Sequence, residues 1–516
     1  MFARQHALDH PDQPAFIMGT SGETVTFAEY EARCNQIAHL LRSAGLQRGD
    51  HLAVFMENSI PMLEIEGAAE RTGLYYTLIN SYLAPDEAAY IITNSRSRLL
   101  FSSAAKREVA GQAAAMCPQL ERKLMTGPGS PPSGWESFDA AVADCPSDPV
   151  PDESLGAAML YSSGTTGQPK GVLRDLPTVA PSEPLPVMLF VRAMFGFTDG
   201  MTYLNPAPLY HSAPQASVSA SLRMGSTTVV MEHFEAGQWL ALVERYRVTN
   251  CQMVPVMFSR LLRLPEEIKA RHDTSSLECI VHAAAPCPVH VKQAVIDWLG
   301  PIITEYYGAT EANGFTFCDS AQWLAHPGTV GKPILGELLV LDDDGRECPT
   351  GTDGTIWFRG ATAFQYYQDP AKTAAGRSGD GSMSTVGDVG HVDAEGYLYL
   401  TDRRSYMIIS GGVNIYPQET ENLLSGHPAV LDVAVIGVPN EDLGEEVKAV
   451  VQLVDPAAAG PELVQELITY CRDRLTHFKC PRTVEFTDEL PRSATGKLYK
   501  RLLRDAYWAG HRTSIV

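Results

Sequence analysis

Two stretches of this chain repeat one alternation, and that alternation narrows the choice of folds more than any other feature. Between Phe27 and Phe101, helix-like segments (Tyr30 to Ser43, Ile60 to Thr72, Pro85 to Asn94) alternate with short apolar runs (Leu52 to Met56, Leu74 to Ile79, Leu99 to Phe101). The rhythm returns from Thr227 to Tyr307: Thr228 to Met231, a helix through Trp239 to Tyr246, then Gln252 to Val254, Cys279 to Val281 and Ile302 to Thr304. Short strands separated by helix-length segments predict parallel sheets covered by helices. After Gly336 the pattern becomes strand-rich, with runs at Leu338 to Leu341, Thr355 to Arg359 and Tyr397 to Leu400. Past Ser405 the chain reads as a small α+β unit, with strands at Val433 to Ile436 and Val447 to Leu453 and a helix over Glu462 to Leu475. The expected class is therefore α/β and α+β. A large N-terminal domain, residues 1–404, would hold parallel α/β subdomains and a strand-rich subdomain, and a small α+β domain would follow over residues 405–516.

At 516 residues the chain is too long for a single small binding module. With 61 acidic against 40 basic residues its formal charge is −21, the wrong sign for a protein that lives on nucleic-acid phosphates. Any anion it binds must be held by local devices. Ten cysteines without a CxxC or a Cys/His cluster read as reduced, buried thiols rather than a metal centre. The start, Met1-Phe2-Ala3-Arg4-Gln5-His6, lacks a signal peptide's apolar stretch, and no run approaches the ~18 apolar residues of a membrane span. A cytoplasmic protein without an integral membrane segment is expected, as a monomer or a homodimer.

Ala157 to Tyr161 reads as a buried strand running into Ser162-Ser163-Gly164-Thr165-Thr166-Gly167-Gln168-Pro169-Lys170-Gly171. Small residues there let backbone N–H groups approach a polyphosphate, the hydroxyls add donors, and Lys170 adds a point charge. The spacing fails the GxxxxGK[ST] pattern, because Lys170 is followed by Gly171, which disfavours a kinase-like or GTPase-like loop. A surface turn rich in Ser, Thr and Gly is the bland alternative.

This loop resembles the signature of the adenylate-forming superfamily: acyl- and aryl-CoA synthetases, luciferases and peptide-synthetase adenylation domains. Further family-like segments follow in order: Pro208 to His211, Ala283 to Cys287, Tyr306 to Glu311, Val386 to Gly390, Asp402-Arg403 with Ile409 to Pro417, and Pro491 to Lys497. The resemblance spans nearly the whole chain and points to the acyl-CoA ligase branch. It implies ATP, Mg2+ and coenzyme A as the small molecules used, and a two-step reaction on a carboxylic acid. A carboxylate is a poor acyl donor; an acyl adenylate carries a good leaving group, AMP.

The resemblance also assigns roles. Ser162 to Gly167 and Lys170 would bind the nucleotide phosphates. Ala284, Ala285 and Pro286 would flank adenine, Tyr307 would pack on it, and Tyr306 and Gly308 belong to the same nucleotide-binding segment. Thr310 would meet a phosphate and Glu311 would help hold Mg2+, a hard cation that prefers oxygen ligands. Asp388 would accept hydrogen bonds from the ribose hydroxyls, and Arg403 would contact ribose or phosphate. Lys497 is the expected catalytic residue, aligning the carboxylate against the α-phosphate. In the family the small C-terminal domain is mobile and rotates about a hinge, here Ser405, where most relatives carry Asp or Lys. Rotation would bring Ser410, Gly411 and Gly412 to the site around a pantetheine arm, with Lys479 contacting CoA. His211 would gate the acyl pocket, to which Val254, Ala283, Ala309 and Phe315 belong.

Phe195, Phe197 and Met253 extend an apolar lining. No aspartate lies between Met201 and Arg223, where amino-acid-activating relatives carry the partner of the substrate's amino group, so an apolar fatty, aryl-alkanoic or polycyclic acid is expected. Beside a luciferase-like oxidation, which would use the same adenylation residues, two alternatives stay open. One is an acyl-AMP ligase delivering to a carrier protein, although the insertion such relatives often carry is not evident between Arg403 and Glu421. The other is a non-catalytic nucleotide-binding homologue, against which stand the intact Lys170, Glu311, Asp388, Arg403 and Lys497.

Overall fold

The computed structural model describes residues 1–162, 168–360, 364–403, 406–411, 413–440, 442–492 and 498–509. They group into two compact units, one made of Met1–Met253, Arg263–His282 and Ala363–Ala374, the other of Val254–Leu262, Ala283–Thr362 and Ala375–Val516.

The first unit holds two sheets of mainly parallel strands. One runs in the order Glu136–Ser137, Arg122–Thr126, Leu99–Ser103, His51–Phe55, Tyr75–Leu78, Ala157–Ala158. Its centre is buried on both faces: all five residues of His51–Phe55 and of Leu99–Ser103 are buried, with Leu52 opposite both Tyr76 and Leu99. That double burial is why these strands read as unbroken apolar runs in the sequence. The second sheet places Cys279–His282, Asn250–Met253, Thr202–Asn205, Thr227–Val230 and Pro14–Met18 side by side in parallel, with Thr24–Thr26 antiparallel at the edge. Helices such as Phe27–Ser43, Ile60–Arg71, Pro85–Asn94 and Ala236–Tyr246 connect the strands, as the alternation predicts. Phe27–Ser43 starts three residues before the expected Tyr30. Thr26 and Glu29 form a capping box there, with Glu29 N–H donating to Thr26 Oγ1 at 3.2 Å and Thr26 N–H to a Glu29 carboxylate oxygen at 2.9 Å.

One expected strand is absent. Ala157 to Tyr161 is split: Ala157–Ala158 pairs with Tyr75 and Tyr76, whereas Tyr161–Ser162 pairs with Lys170 and Gly171 in a different, antiparallel sheet. Met159 and Leu160 are buried at the crossing, where Thr77 Oγ1 donates to Met159 O at 3.0 Å. The run is buried at Met159 and Leu160 and half-buried at Ala157, Ala158 and Tyr161, so its apolar character does not make it one strand.

The second unit is antiparallel and mixed. Ile303–Gly308, Phe315–Cys318 and Lys332–Leu335 form one antiparallel set. Glu337–Leu341, Gly354–Arg359, Asp388–Val392 and Leu398–Arg403 form another. The C-terminal portion pairs the long strands Val430–Asn440 and Gly444–Leu453, adds Thr483–Thr487 in parallel, and packs the helices Pro417–Leu424, Pro461–Arg472 and Lys500–Trp508 around them. Its core includes Ile415, Leu424, Val435, Ala449, Val451 and Leu467.

The start of Lys500–Trp508 is fixed by a buried charge pair, Lys500 Nζ lying 2.8 Å from Glu421 Oε1 with both side chains under 10% exposed. Glu421 also accepts from Val435 N–H at 2.6 Å. Lys500→Met would strand the carboxylate, and about 3 kcal/mol of stability should be lost in urea unfolding, whereas Lys500→Met with Glu421→Gln should recover most of it.

Candidate functional site

In the second unit three residues far apart in sequence converge. Strand pairing sets Asp388 directly opposite Arg403, and Arg403 Nε lies 2.9 Å from Asp388 Oδ1. Tyr307 O–H donates to Asp388 Oδ2 at 2.7 Å. The aspartate is buried and begins its strand just after Gly387, whose φ of +83° an L side chain would strain. Burial and the Asp388 carboxylate push the Tyr307 phenol well above its ordinary value, so it stays a neutral donor. The Asp388 carboxylate in turn raises the Arg403 guanidinium. The outcome is one carboxylate held in place by a phenol and a guanidinium, with lone pairs left over for a further donor.

The strand Ile303–Gly308 that carries Tyr306 and Tyr307 ends in a turn over Ala309–Ala312, closed by Ala312 N–H to Ala309 O at 2.9 Å. Thr310 and Glu311 occupy that turn, as expected of a strand's C-terminal end, and Glu311 is only 5% exposed. Tyr306 stands with its ring 5.9 Å from Phe315, and a Cβ at Gly308 would overlap the Phe315 ring, which is why glycine sits there. Ala283 is buried, while Ala284 is exposed in the left-handed region at φ +77°, a conformation that costs a non-glycine residue about 1–2 kcal/mol. Ala285 and Pro286 follow it, ahead of the helix Val289–Leu299. Strained backbone of this kind concentrates at functional positions. Val254 precedes the helix Pro255–Leu262, whose Met257 N–H donates to Val254 O at 2.9 Å.

Among the described residues no cluster of three or more His, Cys, Asp or Glu could hold a metal ion. A single buried carboxylate at Glu311 fits Mg2+, which takes most of its oxygens from phosphate and water rather than from an all-protein cage.

The C-terminal portion of this unit places Ser410 at the end of the strand Ile408–Ser410, paired with Val413 and Gly444. Gly411 follows at φ +56°, its N–H donating to Leu443 O at 2.8 Å. Lys479 lies on the 3-10 turn His477–Lys479, engaged by Glu419. Lys497 lies outside the described residues, but its flanks do not: Arg492 and Leu498 form an antiparallel bridge, and Arg492 Nη2 donates to Asp432 Oδ1 at 2.6 Å.

In the first unit Ser162 and Lys170 face each other in strand register, and Lys170 Nζ stands 4.7 Å from the centroid of the Tyr366 ring. Gly171 lies under Tyr161, where a Cβ would come within 3.0 Å of Cζ. His211 is the N-cap of the helix Ser212–Arg223, its ring 4.5 Å from that of Tyr210. Phe195, Phe197 and Met253 are buried in their own unit, with Phe197 5.3 Å from Tyr203. Ser163, Gly164, Thr165, Thr166, Gly167, Ser405 and Gly412, like Lys497, lie outside the described residues.

Sequence reasoning missed the buried charges. Lys292 and Glu305 pair at 2.6 Å with almost no exposure, and Lys500 pairs with Glu421. The signal was present: Lys292 falls in the apolar phase of Val291, Val295 and Ile296.

A comparison with protein families matches residues 3–368 to the AMP-binding enzyme family and residues 419–497 to the AMP-binding enzyme C-terminal domain. A fatty acid–[acyl-carrier-protein] ligase of Streptomyces coeruleorubidus is 30% identical over 98% of this chain and 95% of its own length. A long-chain-fatty-acid–CoA ligase of Mycobacterium tuberculosis is 29% identical over 98% of both chains. Among solved structures, the o-succinylbenzoate CoA synthetase of Bacillus subtilis in complex with its acyl-adenylate intermediate superposes with a TM-score of 0.79 at 27% identity, covering 97% of each chain. Among the described residues no helix is long and apolar enough to cross a membrane. A match that takes in most of the chain, relatives aligned end to end and a shared fold leave one placement: the chain belongs to the AMP-binding enzyme family.

Proposed function

We propose that this enzyme is an ATP-dependent, AMP-forming acyl-CoA synthetase. In the first step a carboxylate oxygen attacks the α-phosphorus of ATP, an acyl adenylate forms and pyrophosphate leaves. In the second, the thiol of coenzyme A attacks the acyl carbon, its proton is lost, a thioester forms and AMP departs. The observation that carries this reading is the Tyr307–Asp388–Arg403 arrangement. A buried carboxylate held by two donors is built to accept hydrogen bonds from a diol such as a ribose.

In this scheme Ser162, the glycine loop through Gly167 and Lys170 take the polyphosphate, and Thr310 contributes a hydroxyl to it. Ala284, Ala285 and Pro286 lie on one side of adenine and Tyr307 on the other, with Tyr306 and Gly308 shaping that segment. Bound Mg2+ held by Glu311 would neutralise phosphate charge. Lys497 aligns the attacking carboxylate. Residues 1–404 and 405–516 act as the two working domains with Ser405 as the hinge, and Ser410, Gly411, Gly412 and Lys479 serve coenzyme A. His211, Val254, Ala283, Ala309 and Phe315 bound the acyl group, which we assign to an apolar fatty, aryl-alkanoic or polycyclic acid.

Loss of a charge-assisted hydrogen-bond acceptor costs about 1.5–3 kcal/mol. Asp388→Ala should therefore raise KM for ATP by roughly 10- to 100-fold and leave KM for the acid within about twofold, as read from initial rates.

The reading is tested by AMP release from ATP over a panel of fatty, aryl and polycyclic acids, with and without coenzyme A. Acid-dependent AMP release that requires coenzyme A supports it. Release that needs a holo carrier protein instead would favour the second reading, for which the Streptomyces relative's name speaks. No release under any condition would refute both.

A further inference from the structure

We infer that Lys292 and Glu305 are positioning residues that set the width of the adenine slot, an inference resting on the nucleotide-binding reading above. Lys292 Nζ lies 2.6 Å from Glu305 Oε2, with the lysine side chain fully buried and the glutamate 6% exposed. Trp323, also buried, closes over the ammonium at 5.0 Å from its ring centroid. The placement of the two charges is what matters. Lys292 is on the helix Val289–Leu299, which follows directly on the Ala283 to Cys287 segment. Glu305 is two residues before Tyr307 on the strand Ile303–Gly308, so the two side chains leave the same face of that strand. The pair thus ties the Ala284 to Pro286 wall to the Tyr307 wall by one contact, where the covalent route runs through the whole intervening helix and loop.

Burial raises the thiols of Cys287 and of Cys318, the latter opposite Glu305 in strand register and pushed up to about 12, so both stay neutral. A desolvated ammonium facing a desolvated carboxylate tolerates little change in separation, because their attraction is weakly screened where water is excluded. Such a pair adds little net stability compared with apolar residues of equal volume, but it penalises every packing that parts the two elements. A flat base between two walls gains its contacts only at one spacing, whereas the phosphates, held elsewhere, are indifferent to it.

The test is calorimetric binding of ATP and of tripolyphosphate, which shares the phosphates but lacks the base, to the full chain and its variants. For Lys292→Met the Kd for ATP should rise at least tenfold while that for tripolyphosphate stays within twofold. The charge-free Lys292→Met with Glu305→Gln removes the stranded charge but also the tie, so its Kd for ATP should stay raised at least threefold with that for tripolyphosphate within twofold; full recovery would assign the single variant's loss to the stranded charge alone and overturn the inference. Should the single variant fail to fold, Lys292→Arg carries the test: its charge remains balanced but its head is longer and forked, and it should weaken ATP alone by about fivefold. Equal weakening of both ligands, or an unchanged ATP affinity, in a parent that binds ATP would overturn the inference by itself. A parent that binds tripolyphosphate but not ATP would remove the nucleotide-binding reading first and the inference with it.

Discussion

Lys497→Ala should slow acyl-adenylate formation by a factor of at least ~10², with thioester formation from a supplied acyl adenylate changed no more than a few-fold. The split follows from where charge develops. In the first step an anionic carboxylate approaches an anionic phosphate, and a cation placed between them both aligns the nucleophile and offsets the charge that grows in the transition state. In the second step the nucleophile is a thiol and the electrophile a neutral acyl carbon, so the same cation has little left to do. The described residues on either side of Lys497 are anchored by the Arg492 and Leu498 bridge, by Arg492 on Asp432 and by Lys500 on Glu421, so removing one amine at residue 497 should leave the surrounding fold in place. Pre-steady-state pyrophosphate release measures the first step and thiol consumption from synthetic acyl adenylate the second. Equal losses in both would contradict a lysine that serves one step only.

Gly411→Leu should have the opposite signature. Acyl-CoA output should fall by about 100-fold, with the first turnover of pyrophosphate release retained. Gly411 has φ +56°, so any side chain carries roughly 1–2 kcal/mol of backbone strain, and its Cβ would stand 3.3 Å from Leu443 Cδ2. That strain is small against the stability of a folded domain, typically about 5–15 kcal/mol. The expected effect is steric: a pantetheine arm is narrow and passes only where backbone is bare. Undiminished acyl-CoA production by Gly411→Leu would sink the assignment of this segment to the thiol.

Element positions were legible wherever one physical signal dominated. Pro85–Asn94 is the helix its pattern predicts, and Leu99–Ser103 and His51–Phe55 fall within two residues of their apolar runs, because strands buried on both faces are apolar over most of their length. Where tertiary pairing decides, sequence alone runs out. Ile303–Gly308 continues four residues past the apolar run through Glu305, Tyr306 and Tyr307, since its partner Phe315–Cys318 supplies the ladder. Ala157 to Tyr161 is equally apolar and yet divides between two sheets.

The site shows the same division. Motif resemblance could single out Tyr307, Asp388 and Arg403 one at a time, but the bond between Tyr307 and Asp388 joins residues 81 positions apart and is a product of folding. Buried charges were the least legible. A lone lysine or glutamate is by default a solvated side chain, and pairing of the kind seen between Lys292 and Glu305, or Lys500 and Glu421, is what offsets the cost of burial.

The central claim is that this enzyme exchanges pyrophosphate for an organic acid on the adenine nucleotide, and isotope exchange measures that step alone. With ATP, Mg2+ and an accepted apolar acid, and without coenzyme A, label from pyrophosphate should enter ATP, and Asp388→Ala and Lys497→Ala should each suppress that exchange. Exchange that never rises above the acid-free rate across fatty, aryl and polycyclic acids, in a protein shown to bind ATP, would contradict the account.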